Sequence, residues 1–237
     1  MWDASVVSGR GRTRWNLPVR PGGLRARELR GSVRAAMTSA PRLITERLIL
    51  RGWRESDRAP YAQLNADPQV REFFPEPATA AQSDAQLAVF DDHFAQHGFG
   101  MWAVELRDGG ELIGFNGMDL ATYDAPFAPA IELAWRLARP AWGHGYATEA
   151  ALEVLRFGFT ELGLEEVVAV TAPANLRSRA VMERIGMTRG PREDFDHPDI
   201  AEGHPLRRHV LHRLRADEWR RSAAGGRRAS AATNPES

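Results

Sequence analysis

Between residues 142 and 150 the chain reads Trp142-Gly143-His144-Gly145-Tyr146-Ala147-Thr148-Glu149-Ala150. Two glycines separated by one residue stand directly before an amphipathic stretch. A turn of this kind leaves several backbone N–H groups converging at a helix N-terminus, where the helix dipole favours an anion. The chemistry implied is capture of a phosphate or pyrophosphate, and hence of a nucleotide-type cofactor. The turn lacks the Lys-Ser/Thr pair of a Walker loop and the three-glycine spacing of a dinucleotide fingerprint. A purely structural strand-to-helix turn is the alternative reading.

The flanking residues supply the elements that must position such a turn. Ala130-Ile131-Glu132-Leu133-Ala134-Trp135-Arg136-Leu137 alternates as a strand does, and Ala138-Arg139-Pro140-Ala141 connects it to the turn. After the turn, Ala147, Ala151, Val154, Leu155, Gly158 and Leu162 share one helical face, and Gly163 is the expected C-cap. Alternation places Ile131, Leu133, Trp135 and Leu137 on one face of the strand and Glu132, Ala134 and Arg136 on the other.

Earlier in the chain, Leu48 to Trp53 reads as a strand, followed by a helix capped by Ser56 and stopped near Asp67-Pro68. Thr79 to His97 reads as a long helix with Leu87, Phe90 and Phe94 on one face. Met101–Leu106 and Glu111–Met118 form a hairpin around Arg107-Asp108-Gly109-Gly110. Asp119 to Pro129 is a loop. Later, Val167 to Val170 is a short apolar run suited to a buried strand, a helix covers 176–185, and strands lie near Met187 and over Arg207–Leu214.

A second block reads Pro173-Ala174-Asn175-Leu176-Arg177-Ser178-Arg179-Ala180-Val181-Met182-Glu183-Arg184-Ile185-Gly186-Met187. Together the two blocks resemble the GNAT N-acetyltransferases, most closely the branch named after the RimJ and RimL ribosomal-protein acetyltransferases. The family's acetyl-CoA loop reads Arg/Gln-x-x-Gly-x-Gly/Ala; Trp142, Gly145 and Ala147 occupy its fixed positions, with Trp in place of Arg/Gln as in the Rim-like branch. The second block is similar to the family's Asn-x-x-Ser/Ala helix ending in Gly-Phe. The resemblance covers roughly Leu43 to Trp219.

It implies a mixed α/β GNAT fold of six to seven mostly antiparallel strands with a splayed central pair and about four helices. It also implies acetyl-CoA as co-substrate, bound by Trp142, Gly143, His144, Gly145, Tyr146, Ala147 and Thr148. Pantetheine would lie along the strand edge at Leu133, Trp135 and Leu137 as an added strand does. Asn175 would hold the pantetheine arm, although an Asn before Leu176 is also an ordinary helix N-cap. Ser178 would bond the cofactor or protonate the departing thiolate, because Met182 stands where many members carry a tyrosine acid.

Glu132 is the best base candidate for taking a proton from an amine; it could equally pair with Arg136 or be solvated. Asp119 and Glu105 are weaker candidates. His197, His204, His209 and His212 cluster near the end but match no zinc spacing, so no metal is expected. Trp102, Trp135 and Trp142 lack the basic stripe of a nucleic-acid stacking platform and read as packing.

Composition narrows the rest. A chain of 237 residues with 43% hydrophobic content can bury one good core. There is no cysteine, which excludes disulfides, thiolate metal sites and an acyl-cysteine intermediate. All basic residues are arginine, the usage expected of GC-rich bacterial coding. The net charge of zero divides unevenly: residues 1–36 carry +6, residues 220–237 carry +3, and the region between carries −9. An acidic core disfavours nucleic acid and suits a cationic amine, although a solvated acidic surface reads the same way.

No apolar run approaches the ~18 residues of a spanning helix, so a soluble cytoplasmic protein is expected, as monomer or homodimer. Residues 1–36 are expected to be a disordered leader or lie before a true start at Met37, and 220–237 a disordered tail. The enzyme expected is an N-acetyltransferase acting on a primary amine, either a protein N-terminus or a small molecule. A non-catalytic acyl-CoA-binding sensor is the alternative from another class.

Overall fold

The computed structural model describes residues 40–190 and 192–222. The expectations for residues 1–36 and for the chain beyond 222 lie outside the described residues. Its strands are β1 (Leu43–Ile44), β2 (Leu48–Arg51), β3 (Met101–Leu106), β4 (Leu112–Ala121), β5 (Ala130–Leu137), β6 (Glu166–Thr171), β7 (Thr188–Arg189), β8 (Phe195–Asp196) and β9 (Arg208–Arg215). Its helices are α1 (Arg58–Ala66), α2 (Ala80–His97), α3 (Tyr146–Thr160), α4 (Leu176–Arg184) and α5 (216–222).

The sheet order is β1-β2-β3-β4-β5-β6-β9-β7, with β8 also on β9. Every described pairing is antiparallel except β5 with β6, which is parallel. The mixed sheet expected from the sequence is therefore present. The excess over six or seven strands comes from the two-residue strands β1 and β8, too short to leave a periodic signal; the strand expected near Met187 is β7.

The two faces of the sheet carry separate packing. On one, α3 buries Ala150, Ala151, Val154, Leu155 and Phe157 against Ile131, Leu133 and Leu137 of β5. On the other, Tyr61 of α1 and Leu87 and Phe90 of α2 pack with Met101 and Phe115, and Ala134 of β5 lies against them. The alternation read along β5 is thus the alternation found.

Local details depart from expectation at several points. Ser56 does not cap the first helix: it lies inside a short 3-10 turn, Glu55–Asp57, whose N-cap is Arg54, and the Asp57 carboxylate at the third position accepts from the Arg54 N–H at 2.8 Å. The same carboxylate receives two bonds from buried Arg51, at 2.6 and 2.9 Å, while Arg51 Nε donates to Glu105 at 2.6 Å. This spends Glu105 on a structural network that ties β2, β3 and α1 together. Helix α2 begins as expected, with Thr79 accepting from the Gln82 N–H. Strand β4 runs on to Ala121, into what reads as loop, and α5 extends past Trp219 to residue 222. Helix α3 ends at Thr160 with Glu161 as C-cap, and left-handed Gly163 follows it.

Asp119 is likewise committed. His93 of α2 places Nε2 2.7 Å from Asp119 Oδ1 and Nδ1 2.8 Å from the Phe99 carbonyl oxygen, with the His97 ring beside it. Two acceptors around one ring favour the imidazolium. Burial alone would lower the His93 pKa, but the bond to Asp119, its charge and the Phe99 carbonyl together raise it above the ordinary value.

Two stability outcomes follow. A Cβ at Gly114, where φ is 141°, would lie 2.1 Å from the Arg136 carbonyl oxygen across the β4–β5 ladder. Gly114→Ala is expected to lower unfolding free energy by about 2–4 kcal/mol through crowding and strain, read from the urea midpoint. The His93 contribution, about 1–3 kcal/mol for a charge-assisted bond, is complete below the ordinary histidine pKa and lost as pH rises through the raised folded-state pKa. The stability gap between wild type and His93→Gln should therefore be largest in mild acid and close in mild alkali; a gap that widened with pH would contradict the ion pair.

Candidate active site

Strands β5 and β6 share one register pair, Glu132 with Val168. Each is paired fully on its other side, β5 with β4 from Ala130 to Leu137 and β6 with β9 from Glu166 to Thr171. The two half-sheets therefore part beyond Glu132 and leave a cleft. Around it lies a cavity of about 1030 Å³ lined by β5 residues 132–137, the turn after β5, the end of β6 and the start of α4.

The edge of β5 that faces this cleft is available for pairing. The Leu137 carbonyl points away from β4 and accepts the Trp142 indole N–H at 2.8 Å. Main-chain direction alternates along a strand, so the polar groups of Leu133 and Trp135 point the same way. This is the edge an extended amide-bearing chain would complete.

At the cleft's end, Gly143 and Gly145 both adopt left-handed backbone, with φ of 79° and 82°. Gly145 is the N-cap of α3. A Cβ at Gly143 would meet nothing within 4 Å, and one at Gly145 only Arg47 at 3.5 Å. The glycines thus serve backbone shape and leave the first-turn N–H groups of α3 open to the cavity, as an anion cradle requires.

Arg47, from the turn before β2, was not singled out from sequence. Its guanidinium donates to the His144 carbonyl at 3.0 Å, pairs with Glu149 at 2.6 Å and lies over the Tyr146 ring at 4.7 Å. Glu149 also accepts from the Thr45 hydroxyl at 2.6 Å and the Arg47 N–H at 2.9 Å. Burial would raise the Glu149 pKa, but these bonds and the arginine charge bring it below the ordinary value. The paired carboxylate fastens the β1–β2 turn to α3 and holds a cation beside the cradle. A separation of about 100 residues in sequence hides this contact from any local pattern.

Of the residues expected at the site, Leu133, Trp135, Leu137, Trp142, Gly143, Gly145, Tyr146, Ala147, Thr148, Asn175 and Ser178 all line the cavity, as does Glu132. His144 does not; its ring stacks on Tyr146 instead. Asn175 is the N-cap of α4, accepting from the Ser178 N–H at 3.1 Å, and its amide donates to Thr171 at 3.0 Å. Met182 is buried against the cavity. Trp102 is wholly buried, as packing predicts.

Glu132 is buried, and the Tyr123 hydroxyl donates to its Oε2 at 2.8 Å. Burial and the neighbouring Glu132 charge push the Tyr123 pKa far up, so the phenol stays protonated and acts as a fixed donor. Arg136 does not pair with Glu132. It donates to Asn65 Oδ1 at 2.6 Å and lies over Phe74 and Phe115. Val70, Phe73 and Phe74, from the segment between α1 and α2, close this side of the cavity. That wall has no periodicity and was not legible as site residues.

No group of three or more His, Asp or Glu able to hold a metal occurs among the described residues. The His197 and His209 rings lie 5.1 Å apart at a tilt of 55°, beside Tyr123 and Phe195. Burial lowers their pKa values to about 3 and about 4, so both are neutral packing groups at pH 7. No described helix is long and apolar enough to cross a membrane.

The acetyltransferase (GNAT) domain model matches residues 47–188. The FsC-acetyl coenzyme A-N(2)-transacetylase of Aspergillus fumigatus is 31% identical over 192 residues, covering 76% of this chain and 79% of that protein. An acetyltransferase from Agrobacterium tumefaciens, 29% identical, superposes with a TM-score of 0.60 over 76% of this chain and 96% of its own. Mycobacterium smegmatis RimJ, solved with CoA-disulfide, shares the fold at 22% identity, with a TM-score of 0.59 over 76% and 90%. With the domain match spanning more than half of its length, from the turn that carries Arg47 through the glycine turn and α4, this chain belongs to the GNAT acetyltransferase family, enzymes that draw their acetyl group from acetyl-CoA.

Proposed function

We propose that the chain moves acetyl from acetyl-CoA to a primary amine in the cytoplasm, by direct attack with both substrates bound. The observation that carries this reading is a buried carboxylate, Glu132, held by Tyr123 in the same cavity as the glycine turn. The names of two relatives support it: the Aspergillus protein is an acetyl coenzyme A-N(2)-transacetylase, and the mycobacterial RimJ was solved with CoA-disulfide.

In this scheme the N–H groups from Gly143 to Thr148 hold the pyrophosphate, and Arg47 adds a positive charge beside it. The β5 edge from Leu133 to Leu137 pairs with pantetheine, and exposed Leu176 offers it apolar cover. A β5 backbone N–H stabilises the developing oxyanion. The amine nitrogen attacks the thioester carbonyl carbon and the carbon–sulfur bond breaks. The amine proton passes to Glu132, directly or through water, and the thiolate takes a proton from Ser178 or from water. Met182 can supply none. The absence of cysteine leaves no thiol to carry the acetyl group between substrates.

Thiol release from acetyl-CoA, followed with a panel of amines, tests the reading; acetyl-CoA binding without release to any amine would contradict it. Glu132→Gln is expected to lower kcat by about 10²–10⁴-fold with acetyl-CoA affinity unchanged. Gly145→Glu should raise the acetyl-CoA Kd more than about tenfold, since a carboxylate would stand at the anion cradle. Circular dichroism would verify that the fold survives. Normal affinity in a folded Gly145→Glu protein would remove the glycine turn from the site.

A further inference from the structure

The scheme above leaves one charged side chain in the cavity unused. Arg136 is 5% exposed, lies on the same β5 face as Glu132 and lines the same cavity. Its Nη1 donates to Asn65 Oδ1, and its Nε is buried without a partner. The guanidinium is flanked by the rings of Phe74, at 4.3 Å, and Phe115, at 5.2 Å. No carboxylate among the described residues pairs with it, and burial lowers its pKa below the ordinary arginine value. Asn65 satisfies one donor but carries no charge, and its own amide is taken up by Ser83.

A buried cation without a counterion is costly unless something neutralises it. Arg71 places a second guanidinium on Phe74, at 4.2 Å, and is itself 8% exposed. Arg136 and Arg71 thus set two guanidinium groups against Phe74, which lines the acceptor side of the cavity. Cofactor phosphates are poor candidates for this charge. The cradle that suits them heads α3, which packs on the opposite face of β5 from Arg136.

We infer that Arg136 receives a carboxylate on the acceptor, so that the acceptor class is a molecule carrying both an amine and an acid. This rests on the acetyl-transfer reading and adds the second pole of the acceptor to it. Glu132 and Arg136 are four residues apart on one strand face, roughly 13 Å at the Cα atoms, with small Ala134 between them. The two long side chains shorten that span, and an amino acid laid across Ala134 presents its amine to Glu132 and its acid to Arg136. A guanidinium can grip a carboxylate with two parallel bonds, which a lysine ammonium cannot.

The test uses the full chain and follows thiol release from acetyl-CoA with ω-amino acids of increasing length, each beside the alkylamine of matching length. The expected result is a kcat/KM at least about tenfold higher for one or more amino acids, expressed in KM. Arg136→Met should abolish that preference while acetyl-CoA affinity, measured by calorimetry, is retained. Equal rates for the matched pairs, or a preference that survives in Arg136→Met, would overturn the inference. So would loss of acetyl-CoA affinity in a folded Arg136→Met protein, which would assign the arginine to the cofactor.

If Arg136→Met fails to fold, Arg136→Lys decides: it keeps the charge but loses the fork, and a weakened preference is expected. If acetyl-CoA binds but no amine is acetylated, the acetyl-transfer reading fails by itself. Thermal stabilisation by the same amino acids, absent with the alkylamines and lost on Arg136 substitution, would then sustain the anion site; no stabilisation would overturn it.

Discussion

The arrangement turns on a pairing that stops early. Strand β5 is fully bonded to β4 on one edge, and β6 is fully bonded to β9, so each belongs to a complete half-sheet. The halves meet at Glu132 and Val168 and then diverge. A sheet edge left open in this way is ordinarily a liability, because its polar groups seek another strand. Here it faces a cavity with the glycine turn at one end and a buried carboxylate beside it. The proposed seat of an extended, amide-bearing co-substrate rests on this open edge.

The rest of the architecture keeps the divergence rigid. Helix α3 fills one face of β5 with alanine, valine and leucine, while α1 and α2 cover the other through Tyr61, Leu87 and Phe90. Glu149 fastens α3 to the β1–β2 turn and holds Arg47 against the loop carbonyl of His144. Arg51 joins β2 to β3 and to the start of α1 through two carboxylates. The Arg47–Glu149 and Arg51–Glu105 pairs link segments distant in sequence, while Arg51–Asp57 ties β2 to the turn that follows it. They fix where the cleft's walls stand rather than how many helices or strands there are.

That division explains what the sequence could and could not reveal. Alternation along Ile131–Leu137 identified β5 and sorted Glu132 and Arg136 onto one face, because strand periodicity is local. The glycine turn and the Asn175 cap were legible for the same reason: left-handed backbone and helix capping are specified within a few residues. The two-residue strands β1 and β8 carry no period to detect. Ser56 falls inside a short 3-10 turn capped at Arg54, where the Asp57 carboxylate takes the Arg54 N–H and the Arg51 guanidinium. Arg136 was weighed only as a partner for Glu132. Its bond to Asn65 spans 71 residues, and its aromatic neighbour Phe74 comes from an aperiodic segment. The wall around Arg136 is built from such long-range contacts, which leave no local pattern in the sequence, whereas the glycine turn and the strand before it do.

The central claim is that acetyl-CoA occupies the cleft between β5 and β6 with its pyrophosphate on the glycine turn. The most direct measurement is a titration of isotope-labelled full-length protein with acetyl-CoA, following backbone amide resonances by NMR. The account expects saturable shifts concentrated at residues 133–137 and 142–148, with the largest changes at the N–H groups of the turn. Saturable binding that left those amides unmoved and shifted others would contradict it.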